Sequence, residues 1–200
     1  MKNAKLYTFL VFSFLLLGCA NAPLETLTQA NLSFDEAVEA EGNLYMTEIF
    51  QAASDSLAAA QVEIEFQAAR TAFGRDYARA EAQLAFAIQM SDSVTAGVPA
   101  AKEAIASANE ALFQEAEIAV AQALGMMDQA PRGKDGVMAL ASIREDMDLT
   151  TASVQAARAA QAEGRILEAR DRAQSALNRA NEIIGELDAA IQAVRPRPRA

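Results

Sequence analysis

Cys19 is the only thiol in the chain, and it stands at the end of a segment that carries lysines at 2 and 5 and then a predominantly apolar stretch, uninterrupted by charge, from Leu6 to Leu17. Gly18 leaves the sulfur next to a small residue. A single cysteine can form no internal disulfide, so the chemistry open to it is modification of the sulfur itself. There is no histidine, which removes the commonest general base, the Ser/His triad and the usual zinc ligand sets. The remaining candidates for acid/base or metal chemistry are Glu145, Asp146 and Asp148 and the pair Glu63 and Glu65. Spacings of one or two residues scatter side chains around a helix, so these carboxylates read as solvated faces. Gly133 and Gly136 lack the spacing of a phosphate-binding loop. Neither enzyme activity nor a cofactor is expected.

The order of basic residues, apolar run and small residue is that of a secretion signal. Its apolar run is 12 residues long. At about 1.5 Å per residue this falls short of a ~30 Å hydrocarbon core, so the segment reads as processed rather than retained. Leu16, Gly18 and Cys19 resemble the lipobox of bacterial lipoproteins, with an aliphatic residue third before the cysteine and a small one directly before it. That resemblance implies cleavage before Cys19, lipidation of its sulfur and acylation of the new amine. In a Gram-negative envelope Ala20, where an Asp would retain the protein in the inner membrane, implies an outer-membrane anchor facing the periplasm; the alternative is an ordinary signal peptide cleaved at another small residue such as Ala20 or Ala22. More than one acyl chain on Cys19 would make the attachment stable.

Loss of residues 1–18 takes Lys2 and Lys5 with it and shifts the formal charge from −10 to −12. An acidic surface argues against nucleic acid or anionic lipid as a main partner, because either would be repelled. Residues 19–32, with Pro23 and several polar side chains, read as a lipidated tether, and Ser33 with Glu36 has the spacing of a capping box opening a helical domain over 33–194. The domain is expected to be all-α, with about five helices in long antiparallel hairpins. Gly42 is a candidate interruption. Apolar stripes follow at Met46, Phe50, Ala53, Leu57, Ala60, Ile64 and Ala68, then at Tyr77, Ala80, Leu84, Ala87 and Val94, then from Ala101 through Ile105, Ala108, Leu112, Ala116, Ala119, Ala123 and Met127 to Ala130. Gly74 is expected as a C′ residue, and Gly97 with Pro99 as a helix boundary. Asp135 is expected as the N-cap of a fourth helix through Leu140, Ile143, Met147 and Val154, and Gly164 closes it against a fifth from Ile166 to Val194.

Ala157, Gly164, Ala169, Ala173 and Ala176, with a weaker set at Gly74, Ala82, Gln83 and Ala85, resemble the small-residue positions of tetratricopeptide arrays. The whole pattern is similar to Ala-rich helical lipoproteins of bacterial envelopes. These resemblances imply a bundle or tetratricopeptide-like array acting as a scaffold or protein-interaction module in the envelope, with a lipid-tethered ligand-binding or enzyme-accessory domain as the alternative. Met126 and Met127, with Met138 and Met147, are candidate partner contacts because unbranched thioethers adapt to irregular surfaces, although their helical spacing also suits a core. Arg195, Arg197 and Arg199, alternating with Pro196 and Pro198, form a tail over 195–200 that could cap the last helix or reach an anionic envelope component.

Overall fold

The computed structural model describes residues 21–194, so the leader, Cys19 and the Arg/Pro tail lie outside the described residues. Among the described residues the fold is all-α, with no strand. The helices are α1 (Leu24–Glu39), α2 (Gly42–Tyr45), α3 (Thr47–Ala68), α4 (Ala78–Met127), α5 (Lys134–Ala162) and α6 (Ile166–Val194), with a single 3₁₀ turn at Ala72–Gly74 between α3 and α4. The chain divides into two units after Ala101, a position inside α4.

In the first unit α1, α3 and the opening part of α4 share an alanine-rich seam. Ala30, Leu57, Ala60, Ile64, Tyr77, Ala80, Leu84 and Ala87 form one cluster, with Ala22, Leu27 and Phe34 packed against it. Ala37, Val94 and Val98 form a second with Tyr45, Met46, Ile49 and Phe50. The start of α1 thus packs beside the end of α3 and the start of α4, and the end of α1 beside the start of α3. This is the antiparallel course that a short connection imposes.

The helical part begins nine residues before Ser33, which corrects both the expected tether and the expected capping box. Pro23 precedes α1, and Ser33 is buried in the interior of that helix rather than at its start. The polar residues that suggest a tether do not oppose the helix, because Thr28 Oγ1 donates to the Leu24 carbonyl (2.8 Å) and Asn31 Nδ2 to that of Leu27 (2.9 Å). The break expected at Gly42 is present, with Glu41 just before it in the left-handed region (φ 66°). A Cβ on Gly42 would fall 2.2 Å from Val94 Cγ1, so this glycine is a notch that lets α2 approach α4. Gly74 is not a C′ residue. The end of α3 is satisfied instead by Arg75, whose Nη2 donates to the Ala68 carbonyl (3.0 Å) and Nε to that of Arg70 (3.1 Å).

The boundary expected at Gly97 and Pro99 is absent: α4 runs through both. An internal proline costs a helix about 3 kcal/mol. Full burial of Val94 and Val98 on the same face contributes roughly 1.5–3 kcal/mol each and outweighs that cost. Gly97 faces Met46, whose Sδ would lie 2.6 Å from a Cβ there, so it too serves close packing rather than termination.

In the second unit the rest of α4 packs on an α5–α6 hairpin. Ala119, Val120, Ala123, Met127, Met147, Ala180, Ile183 and Leu187 form its largest cluster, and Phe113, Ala157, Ala160, Ala169 and Ala173 another toward the turn. α5 starts at Lys134 with Gly133 as its N-cap, which displaces the role expected of Asp135. At the other end Gly164 has φ +82°, its N–H bonds the Gln161 carbonyl (3.0 Å) and the N–H of Arg165 bonds that of Ala160 (2.9 Å), the Schellman arrangement. The two hairpin helices have 29 residues each. A tetratricopeptide repeat fits both of its helices into about 34, so the long-hairpin form of the expected fold is the one adopted.

Candidate functional site

Cys19, Arg195, Arg197 and Arg199 lie outside the described residues. The methionines separate into two groups. Met127 and Met147 are buried in the core of the second unit, as their helical spacing allows, and Met126 packs half-buried against the same cluster. Met138 is exposed. The carboxylates are likewise separated: Asp146 pairs across the hairpin with Arg179, which also reaches Glu182 (3.0 Å), whereas Glu63 accepts from Gln67 Nε2 (2.7 Å). Among the described residues no three His, Cys, Asp or Glu side chains gather where they could hold a metal ion.

What the second unit does build is a pair of open grooves along the seam of α4 and α5. Glu117, Val120, Ala121 and Leu124 on α4 face Thr151, Val154 and Gln155 on α5 across about 220 Å³ of mostly apolar space. The α4 residues recur at intervals of three and four, so they share one face. Leu124 remains exposed there. Nearer the α4–α5 connection, Met127, Asp128, Arg132, Val137, Leu140, Ala141 and Arg144 line a further 330 Å³. Arg132 pairs with Asp128 (3.5 Å), and Arg144 has no ion-pair partner among the described residues. The seam therefore presents an apolar stretch with guanidinium groups at one end.

A second arrangement, which the sequence does not announce, holds α4 to the α5–α6 turn. Asn109, almost fully buried, donates from Nδ2 to Gln161 Oε1 (2.8 Å) and to the Ile166 carbonyl (3.0 Å). Gln161 Nε2 in turn donates to Glu110 Oε1 (3.1 Å). Arg158 spans Glu117 and Glu110, each at 3.0 Å, and its Cζ lies 4.9 Å from the centre of the Phe113 ring. Hydrogen bonding to Glu117 first, and then to Glu110, raises the Arg158 pKa above its ordinary value. Asn109, Gln161 and Arg158 each donate to acceptors within this cluster or on the adjoining backbone, so its chemistry is that of a clamp rather than a reactive centre. The signal in the sequence is Phe113, the one large aromatic side chain in an alanine-rich stretch, four residues after a helical Asn.

At the start of α6, Glu168 accepts from Arg165 and from Arg172 (2.7 Å). The Arg165 hydrogen bond, followed by that of Arg172, holds the Glu168 carboxyl below the usual carboxylate range. These pairs are solvent-facing and contribute little to stability individually. No helix among the described residues is long and apolar enough to cross a membrane. No family model, curated protein or solved structure matches the chain.

Proposed function

We propose that the chain is a lipoprotein anchored through Cys19 in the outer membrane and facing the periplasm, where its second helical unit acts as a scaffold that binds a segment of another envelope protein. The observation that carries the binding part is the α4–α5 groove around Val120, Leu124 and Val154, which leaves apolar surface open between two helices. A groove of this form suits the apolar face of an amphipathic helix, and Arg132 with Arg144 at its end favours a segment that ends in carboxylates. Such open grooves support a protein segment better than a small ligand, which needs a more enclosing pocket. A small anionic ligand on Arg132 and Arg144 is the second reading, favoured only by those two guanidinium groups.

A photo-crosslinking residue at Leu124, introduced in cells, is expected to give a discrete adduct with one envelope protein, and the same residue at exposed Leu149 none. An identical adduct pattern from both positions overturns the groove as the binding surface. The anchor is tested separately. Cys19→Ser should block processing and release the protein from the membrane fraction, and retention as tight as that of the wild type excludes the lipoprotein reading.

A further inference from the structure

The first unit segregates its charge. Residues 21–69 hold nine carboxylates and no Lys or Arg, and the only cations from residue 21 to 101 are Arg70 and Arg75, in the turn between α3 and α4, and Arg79, in the first turn of α4. Asp76 stands among them in sequence, and Glu63, Glu65 and Glu81 flank them on α3 and α4. The same turn carries Phe73, which is 95% exposed, and the last turns of α3 expose Val62 and Phe66. Phe73 sits in a short 3₁₀ turn that Arg75 ties to α3 through the Ala68 and Arg70 carbonyls, so the ring is displayed by an ordered loop. Arg70 bonds Gln67 (3.1 Å) and Arg79 lies 3.9 Å from Glu63, contacts that leave most of their donors toward solvent.

The end of the unit at which this turn lies is also the end at which the chain enters it. Ala22 packs against the cluster that contains Ile64 and Tyr77, which stand on either side of the turn. The three residue steps from Cys19 to Ala22 span at most about 11 Å. An acyl group on Cys19 would therefore hold the α3–α4 turn against the bilayer surface. An aromatic tip that also carries the unit's arginines is the pairing expected of an interfacial contact, with rings at headgroup level and guanidinium groups on lipid phosphates. The acidic remainder of the chain repels such a surface, but charges more than about 10 Å away are largely screened by salt.

We propose that the α3–α4 turn is a second membrane contact, in which Phe73 enters the headgroup region of an anionic phospholipid bilayer and Arg70 and Arg79 meet its phosphates, while Arg75 holds the loop that displays the ring. The contact works beside a tether at Cys19 and so rests on the anchored reading. Two cations and one ring are too few to hold a free protein, yet tethering makes the second contact intramolecular and effective. Its consequence is orientation, since two points of attachment fix which end of the first unit faces the lipid.

The chain contains no tryptophan, so Phe73→Trp supplies a single reporter at an exposed position. The chain from Cys19 onward is coupled through that residue, its sole thiol, to a maleimide lipid in vesicles, which imposes the tether whether or not cells lipidate it. With phosphatidylglycerol in the vesicles, the indole of Phe73→Trp is expected to shift to the blue and to lose roughly half its emission to a quencher in the upper acyl chain, as interfacial rings do. Leu44→Trp, exposed in α2 at the opposite end of the first unit, should be quenched much less. Pure phosphatidylcholine, high salt, or Arg70→Gln with Arg79→Gln should each reduce the signal from position 73. Quenching at position 73 no greater than at position 44, or independent of phosphatidylglycerol, overturns the contact. A blue shift without lipid quenching also overturns it and assigns the burial of the ring to contact between copies of this chain. Failure of the anchor reading would appear elsewhere, as membrane retention of Cys19→Ser.

Discussion

Arg158 stands over Phe113 with its Cζ 4.9 Å from the ring centre while its Nε and an Nη hold Glu117 and Glu110. The two residues contribute very differently to the clamp. Phe113 is fully buried. Phe113→Ala removes a large core side chain and is expected to cost about 3–5 kcal/mol. Arg158→Ala loses partly exposed ion pairs and one cation–π contact, for an expected cost of about 1 kcal/mol. Chemical denaturation of both variants checks the ratio, and equal losses would place the stabilising weight on the guanidinium.

The glycine notches of the first unit predict unequal responses to alanine. At Gly42 an added Cβ would meet Val94 Cγ1 at 2.2 Å and the Ala37 carbonyl oxygen at 2.9 Å, and a backbone atom cannot step aside. Gly42→Ala is expected to cost about 1–3 kcal/mol, the usual range for overpacking. At Gly97 the atoms in the way are Sδ and Cε of Met46, the far end of a flexible side chain. There the helix-propensity gain of about 1 kcal/mol offsets the displacement, and Gly97→Ala should leave the melting temperature nearly unchanged. The two melting curves decide the matter.

Pro99 lies inside α4 and supplies no N–H to the helix. Replacing it with alanine restores a donor and removes the ring, which should stabilise the protein by up to about 3 kcal/mol. A helix boundary at this position would give no such gain, so a rise in thermal stability of Pro99→Ala also tests the continuity of α4.

Glu168 carries the pH dependence of the α5–α6 turn. Arg165 foremost, and then Arg172, depress its pKa in the folded chain, so the unfolded chain binds the proton more readily. Its contribution is therefore complete above the ordinary carboxylate range and is lost as pH falls through the depressed folded value. Glu168→Gln should leave a stability profile that falls less steeply in acid than that of the wild type, with the two converging at the lowest pH. Parallel curves would show that the pairs form in solution no more often than in the unfolded chain.

The hairpin of α5 and α6 is legible in the sequence because Gly164 is followed at once by a stripe in which Ile, Leu and Ala recur at helical spacing, and Ala169, Ala173, Ala180 and Leu187 are indeed buried. The stripe along α4 is legible at its two ends and lost in the middle. Its spacing puts Ala108 in the core, yet that residue is exposed, and the buried residues there are Asn109 and Phe113. Alanine is equally at home on either face of a helix, so an alanine-rich stretch leaves its register to a few large side chains. The departures at Ser33, Gly97 and Pro99 share a cause: each residue type favours a helix end in isolation, and each is held inside a helix by burial of Ala37, Val94 and Val98 nearby. The polar clamp is hidden because its members come from separate helices, and Asn109 and Gln161 show their relationship only after the hairpin has formed.

The turn at Gly164 also bears on the order in which the chain acquires its structure. With only Glu163, Gly164 and Arg165 between α5 and α6, the first residues to meet are a few positions apart, and closing the chain on itself costs little entropy. Each further turn of helix then joins residues already brought near by the one before. Local pairing of this kind proceeds in microseconds to milliseconds. The hairpin can thus zip up from Gly164 outward and cover its alanine seam early, leaving α4 to dock on a surface that already exists.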